Sequence, residues 1–227
     1  MSQTVQITAK DGHSFSAYVA GTSGPQIVIA HEIFAVNASM CAVADWLAEQ
    51  GFRVAVPNLF ERQGHTAPLN PGLEEDRNIG MGLLKSMDEA KAVSDLLATA
   101  DYMAAEGEEG VAIIGYCMGG KLAYLAASQA AIPGVSYYGV GITSALDVAK
   151  DLKAPVLIHL PVEDTLCPPE AQAQIKAALG DNALVTLSTH EGVGHAFARR
   201  ISPAFVEAAA EVADSQTLAF IRNALAA

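Results

Sequence analysis

The sequence predicts an α/β fold, built on a mostly parallel, twisted sheet of about eight strands with helices on both faces. Three observations predict it. Short, continuous apolar runs, such as residues 27–30 and 111–114, read as strands buried on both faces. These runs alternate with stretches of helical periodicity, the pattern of βαβ units. With 227 residues, 51% of them hydrophobic and 17% charged, the chain can bury a substantial core.

Each element follows from local chemistry. Residues 5–9 and 15–20, joined by Lys10-Asp11-Gly12, read as an antiparallel hairpin. The apolar run 27–30 is the next strand. A helix is expected from about Ser39, with Val43 and Leu47 four apart and Gly51 suited to its C-terminal cap. Residues 53–56 form a further strand, closed by Pro57. From 58 to about 80, Gly64, Pro68, Pro71 and Gly72 interrupt any period. That stretch reads as a long irregular excursion of the kind that lines binding sites. Ser86-Met87-Asp88-Glu89 reads as a capping box for a long helix. Val93, Leu97, Ala100 and Ala104 are expected on its buried face and Gly107 at its end. Strand 111–116 runs into a helix over 118–128, and 135–138, 156–160 and 184–187 are further strands. A closing helix over 203–226 takes Ser202 as its cap and Pro203 as its first residue. No repeat or linker divides the chain, so a single domain over 1–227 is expected.

Thirteen basic residues against 25 acidic ones give a net charge of −12. Such a field repels nucleic acid and anionic membranes, and an anionic small substrate would need a local basic pocket. Three cysteines, an odd number without a C-x-x-C, argue against a disulfide framework or structural zinc. The stretch Met1-Ser2-Gln3-Thr4-Val5 lacks the basic and apolar regions of a signal peptide. No apolar run reaches the roughly 18 residues of a membrane span. These features predict a cytoplasmic protein that works without cofactor or metal. No coiled-coil pattern or dominant apolar face demands assembly, so a monomer is expected.

The most informative stretch is Gly115-Tyr116-Cys117-Met118-Gly119-Gly120, between an apolar strand and a helix. This is the strand–turn–helix setting of a nucleophile elbow, with Cys in place of Ser. The turn is sharp, and Gly115 and Gly119 supply the small residues two before and two after the nucleophile. A helix N-terminus favours thiolate over thiol. The N–H of Met118 is free to donate to an oxyanion. Cys41 and Cys167 lack this setting and read as structural.

Nucleophile, acid, histidine is the α/β-hydrolase chain order. Glu163 and Asp164 follow the strand 156–160, where an orienting carboxylate is needed, and Asp164 is preferred with Glu163 as its rival. Gly192-Val193-Gly194-His195-Ala196-Phe197 follows the last strand and places His195 as the base, with His190 as the alternative.

With these residues in view, the chain resembles the dienelactone hydrolase family along essentially its whole length. The resemblance rests on Glu32-Ile33-Phe34-Ala35-Val36-Asn37, on the segment around Cys117, and on Gly194-His195-Ala196-Phe197. It implies an α/β-hydrolase fold and a fourth participant, Glu32, which contacts the resting thiol and helps to generate the thiolate. It also implies a second oxyanion donor, the N–H of Ile33, and two arginines that bind a substrate carboxylate. The matching positions here are Arg77 and Arg199, with Arg200 as an alternative to Arg199. Two departures border the site: His31 stands where Gln is expected, and Pro161-Val162 where a Gly is usual. The implied activity is hydrolysis of a small, anionic enol lactone through a thioester. The alternatives are a general carboxylesterase or thioesterase, or a hydrolase-fold binding module without chemistry.

Overall fold

The computed structural model describes residues 2–107 and 110–226; Met1, which opens the N-terminal stretch considered above, lies outside them. Among the described residues, eight strands form one sheet in the order β1-β2-β4-β3-β5-β6-β7-β8. Strands β1 (Gln3–Thr8) and β2 (Ser14–Ala20) form the expected antiparallel hairpin, and β2 pairs antiparallel with β4 (Arg53–Pro57). All remaining pairs are parallel: β3 (Gln26–Ala30), β5 (Val111–Tyr116), β6 (Gly134–Tyr137), β7 (Val156–Pro161) and β8 (Val185–His190).

Strands β3, past Gln26, and β5 are almost wholly apolar because helices cover both faces. On one face, α1 (Ala38–Glu49) and α6 (Glu207–Ala226) pack Met40, Val43, Leu47, Ala213 and Ile221 against Ile27, Ile29 and Ile114. On the other, α3 (Glu89–Ala105) and α4 (Met118–Gln129) pack Val93, Leu96, Met103, Leu122 and Ala126 against Val28, Ala30 and Ile113. Helix α5 (Pro169–Leu179) buries Ile175 and Leu179 with Val156 and Ile158. Among the described residues, no helix is long and apolar enough to cross a membrane.

Register carries the site. Ala30 pairs with Gly115, Tyr116 with Tyr137, Tyr137 with His159, and Pro161 with His190. The C-terminal ends of the six parallel strands therefore share one edge, and the segments leaving them meet there.

Four local expectations need correction. The excursion over 58–80 is only partly irregular, because α2 (Glu74–Ser86) begins within it. Its first turn, Glu74-Glu75-Asp76, suits the positive end of a helix, a signal masked by the prolines before it. Ser86 is not a cap but the last residue of α2; Asp88 caps α3 by accepting from the Lys91 N–H at 3.1 Å. On α3, Ala104 is exposed, and Leu96 and Met103 are buried with Val93 and Ala100. The closing helix starts at Glu207 rather than Pro203, since Ser202 instead closes a turn, accepting from the N–H groups of Ala204 and Phe205. A 3-10 segment over Ile142–Asp151 and helix α5 were not anticipated.

Candidate active site

Cys117 follows β5 directly and precedes α4 with φ 56° and ψ −119°. A non-glycine residue rarely holds such a backbone, and packing enforces it here. A Cβ at Gly115 would overlap the Gly119 carbonyl, and one at Gly119 would overlap the Ala30 carbonyl. The two glycines thus permit the tight strand-to-helix turn. Cys117 is 6% exposed at the first turn of α4, and the N–H of Met118, first in the helix, has no intrahelical acceptor.

Asp164 and His195 meet as expected. The His195 Nδ1–H donates to Asp164 Oδ2 at 2.9 Å, and the Asp164 carboxylate is buried. Its other oxygen accepts from the Leu166 N–H at 2.8 Å, which fixes the carboxylate. Nε2 of His195 is buried without a partner of strict hydrogen-bond geometry among the described residues. Burial pulls His195 down, but hydrogen bonding and charge at Asp164 and Cys117 outweigh it and raise its pKa to about 10. This site favours imidazolium, the form that stabilises a neighbouring thiolate. The rivals lie elsewhere: Glu163 is exposed, and His190 Nε2 bonds to His159 Nδ1 at 2.9 Å.

Glu32 does not take the position the resemblance implies. Its fully buried carboxylate forms a fork with Arg199, Nε to Oε2 at 2.6 Å and one terminal nitrogen to Oε1 at 3.1 Å, and makes no hydrogen bond to Cys117. Two buried opposite charges this close hold each other. Arg199 is accordingly not an open anchor, although its guanidinium lies over the Phe34 ring, 5.2 Å from the centroid. Arg77 is exposed on α2 and forms no ion pair among the described residues. Arg200 instead bonds Asp214 at 2.6 Å, with its guanidinium over Trp46.

One residue at this edge escaped the sequence reading. Tyr138 follows β6 with φ 42°, its ring packs edge-on against His195 at 4.9 Å, and its buried hydroxyl has no hydrogen-bond partner among the described residues. Burial first, then the nearby Glu32 carboxylate, push its pKa well above the usual value against the opposing pull of Arg199, so it stays a neutral O–H donor. Its position one residue past a parallel strand was the available signal. Ala35 and Ala196 also hold positive φ, so four strained non-glycine residues gather at this edge. Among the described residues, no group of three or more His, Cys, Asp or Glu side chains could hold a metal ion.

A thiol on a strained turn, an imidazole and a buried carboxylate are the groups that nucleophilic acyl transfer uses. Comparisons with known proteins point the same way. The model of the dienelactone hydrolase family matches residues 15–225. A carboxymethylenebutenolidase of Pseudomonas putida is 35% identical, the match covering 97% of this chain and 96% of that one. The carboxymethylenebutenolidase of Pseudomonas sp. (strain P51) is 36% identical over 98% and 96%. A crystal structure from Klebsiella pneumoniae subsp. pneumoniae MGH 78578 has a TM-score of 0.82 at 23% identity, covering 98% of this chain and 99% of that chain, and shares the fold.

Proposed function

This chain belongs to the dienelactone hydrolase family, which makes it a hydrolase of ester or lactone bonds, and we propose that it opens a small, anionic enol lactone of the dienelactone type through Cys117. The observation that carries this reading is the strained Cys117 at the start of α4 beside the His195–Asp164 pair, in a chain whose relatives are carboxymethylenebutenolidases.

Substrate carboxylate is drawn to Arg199, aided by Arg77 on α2, and competes with Glu32 for the Arg199 guanidinium. The released Glu32 takes the thiol proton, and the His195 imidazolium, oriented by Asp164, stabilises the thiolate. Sulfur attacks the lactone carbonyl, and the resulting oxyanion accepts from the N–H groups of Ile33 and Met118. Collapse breaks the ring C–O bond, leaving a thioester on Cys117 and an enolate. The enolate removes a proton from water, the hydroxide adds to the thioester, and collapse returns the thiolate and frees the acid, after which Glu32 gives its proton back to the Cys117 sulfur. An enolate is a good leaving group, so a thiolate acylates readily here and poorly with alkyl esters or amides.

One continuous sheet from β1 to β8 supports a single domain over 1–227. The three free thiols and the acidic surface support a cytoplasmic monomer acting on a small molecule.

The test compares cis- and trans-dienelactone with p-nitrophenyl esters, for the parent chain and for Cys117→Ala. Lactone turnover that exceeds ester turnover and vanishes in the variant supports the reading. Good ester turnover with none on either dienelactone would leave a general esterase. Full lactone turnover by Cys117→Ala would remove the cysteine from the mechanism.

A further inference from the structure

His31 follows β3 directly and is fully buried. Its Nδ1 lies 2.6 Å from the Glu32 carbonyl oxygen, and the Leu59 N–H donates to its Nε2 at 3.0 Å. A backbone carbonyl can only accept and a backbone N–H can only donate. The two neighbours together therefore dictate a neutral ring with its proton on Nδ1. Adding a second proton would set Nε2–H against the Leu59 N–H. The Phe60 ring, edge-on to the imidazole at 5.1 Å, holds its plane.

The bond to Glu32 reaches beyond Glu32. Its carbonyl belongs to the same peptide group as the Ile33 N–H, and in a trans peptide the two point in opposite directions. Gripping the carbonyl thus sets the direction of the N–H. That N–H donates to no other backbone group among the described residues. The far side is pinned as well, since Gly80 of α2 approaches the Ile33 carbonyl so closely that a Cβ there would overlap it. A hydrogen bond accepted at the carbonyl also polarises the amide and strengthens its N–H as a donor.

We propose that His31 is a positioning residue that aims the Ile33 N–H at the oxyanion formed on the carbonyl attacked by Cys117. This rests on the reading of Cys117 as nucleophile and Ile33 as oxyanion donor given above. Its distinguishing consequence is that His31 acts on acyl transfer, which builds an oxyanion, and not on displacement at an alkyl iodide, which builds none.

Two variants of nearly equal shape separate this from a merely structural role. His31→Asn keeps a donor at the position of Nδ1, whereas His31→Leu has none, and both lose the acceptor for Leu59. For each, kcat on a turned-over lactone or ester is measured beside the rate at which iodoacetamide alkylates Cys117, followed by mass spectrometry of the Cys117 peptide. Loss of one oxyanion donor lowers kcat by about a hundredfold or more, so its misalignment in His31→Leu is expected to lower kcat about tenfold to a hundredfold. His31→Asn should remain within about threefold of the parent, and both variants should alkylate at about the parent rate. Equal loss of kcat in both variants, alkylation falling as far as kcat, or no loss in His31→Leu would each overturn the proposal. Should the leucine variant not fold, His31→Asn decides: a loss beyond about tenfold, with the Glu32 bond retained, overturns it, and a smaller loss supports it. If alkylated parent enzyme still turns over, it is the Cys117 reading that fails, an outcome distinct from a failure confined to His31.

Discussion

Arg199 and Glu32 illustrate how much a single pairing decides. The Glu32 carboxylate has no exposure, and the Arg199 side chain is only 12% exposed. Replacing Arg199 with Ala strands a buried carboxylate, which costs about 3–5 kcal/mol. Urea unfolding of Arg199→Ala should show a loss of that size, with kcat/KM on an anionic lactone falling in parallel. Arg199→Lys keeps the charge but not the fork, and should recover only part of either quantity. At the elbow the constraint is steric. Because a Cβ at Gly115 meets the Gly119 carbonyl rather than a yielding side chain, Gly115→Ala should destabilise the fold by about 3 kcal/mol or fail to yield soluble protein. An alanine variant with the parent's urea midpoint would contradict the tight turn. Gly115 was legible because its clash involves a residue four positions away and Gly119 because it sits two after the nucleophile; the Glu32–Arg199 pair, 167 positions apart, was not.

Among the elements, β6, β7 and β8 are tied to α6 by a buried chain of hydrogen bonds. Asp214 accepts from Arg200 at 2.6 Å and from the Tyr137 hydroxyl at 2.9 Å. With its proton so committed, Tyr137 accepts from Thr217 at 2.7 Å, and Thr217 accepts from His159 Nε2 at 2.9 Å. His159 Nδ1 is left to accept from His190 Nε2–H. Each donor is used once, and both imidazoles are neutral. Burial depresses the pKa values of His159 and His190, reinforced at His159 by the neighbouring His190, and burial likewise brings His31 to about 4. Depressed folded values mean that the unfolded chain binds more protons in acid. Their stabilisation is complete above the unfolded value near 6.5 and is lost as pH falls toward the folded values. His195 has the opposite sign; its contribution is full below 6.5 and fades as pH rises toward about 10, so it does not offset the acid loss. Urea unfolding should therefore show stability falling between pH 6.5 and 5, with His31 alone accounting for about 2 kcal/mol. Unchanged stability over that interval would contradict three neutral buried histidines.

For the molecule as a whole, charge and topology act together. A net charge of −12 repels an anionic substrate at long range, while the cationic groups that would receive it are few and local. Salt screens the long-range part first. Raising ionic strength from 0.01 to 0.15 M should raise kcat/KM for an anionic lactone by about twofold and leave that for a neutral ester nearly unchanged. A fall with salt for the anionic substrate would mean that attraction by the arginines dominates encounter. The sheet supplies the other whole-molecule property, because parallel register brings the ends of β3, β5, β6, β7 and β8 to one edge.

What the sequence determined by itself was set by short-range rules. Buried strands read as apolar runs, the elbow as two glycines flanking Cys117, and the His195–Asp164 pair as chain order after strand ends. Helix starts were less legible, because Ser86 and Ser202 are chemically able to cap yet are used as a helix end and a turn. Tertiary structure alone decided that Glu32 pairs with Arg199, that Arg77 faces solvent, that the Tyr138 hydroxyl is buried beside the site, and that the Leu59 N–H donates to His31 and so leaves the His31 proton for the Glu32 carbonyl. The physical reason is common to all four. A backbone turn depends on atoms a few residues apart, whereas the partner of a charge or a polar hydrogen depends on which distant segments the sheet register brings within about 3 Å.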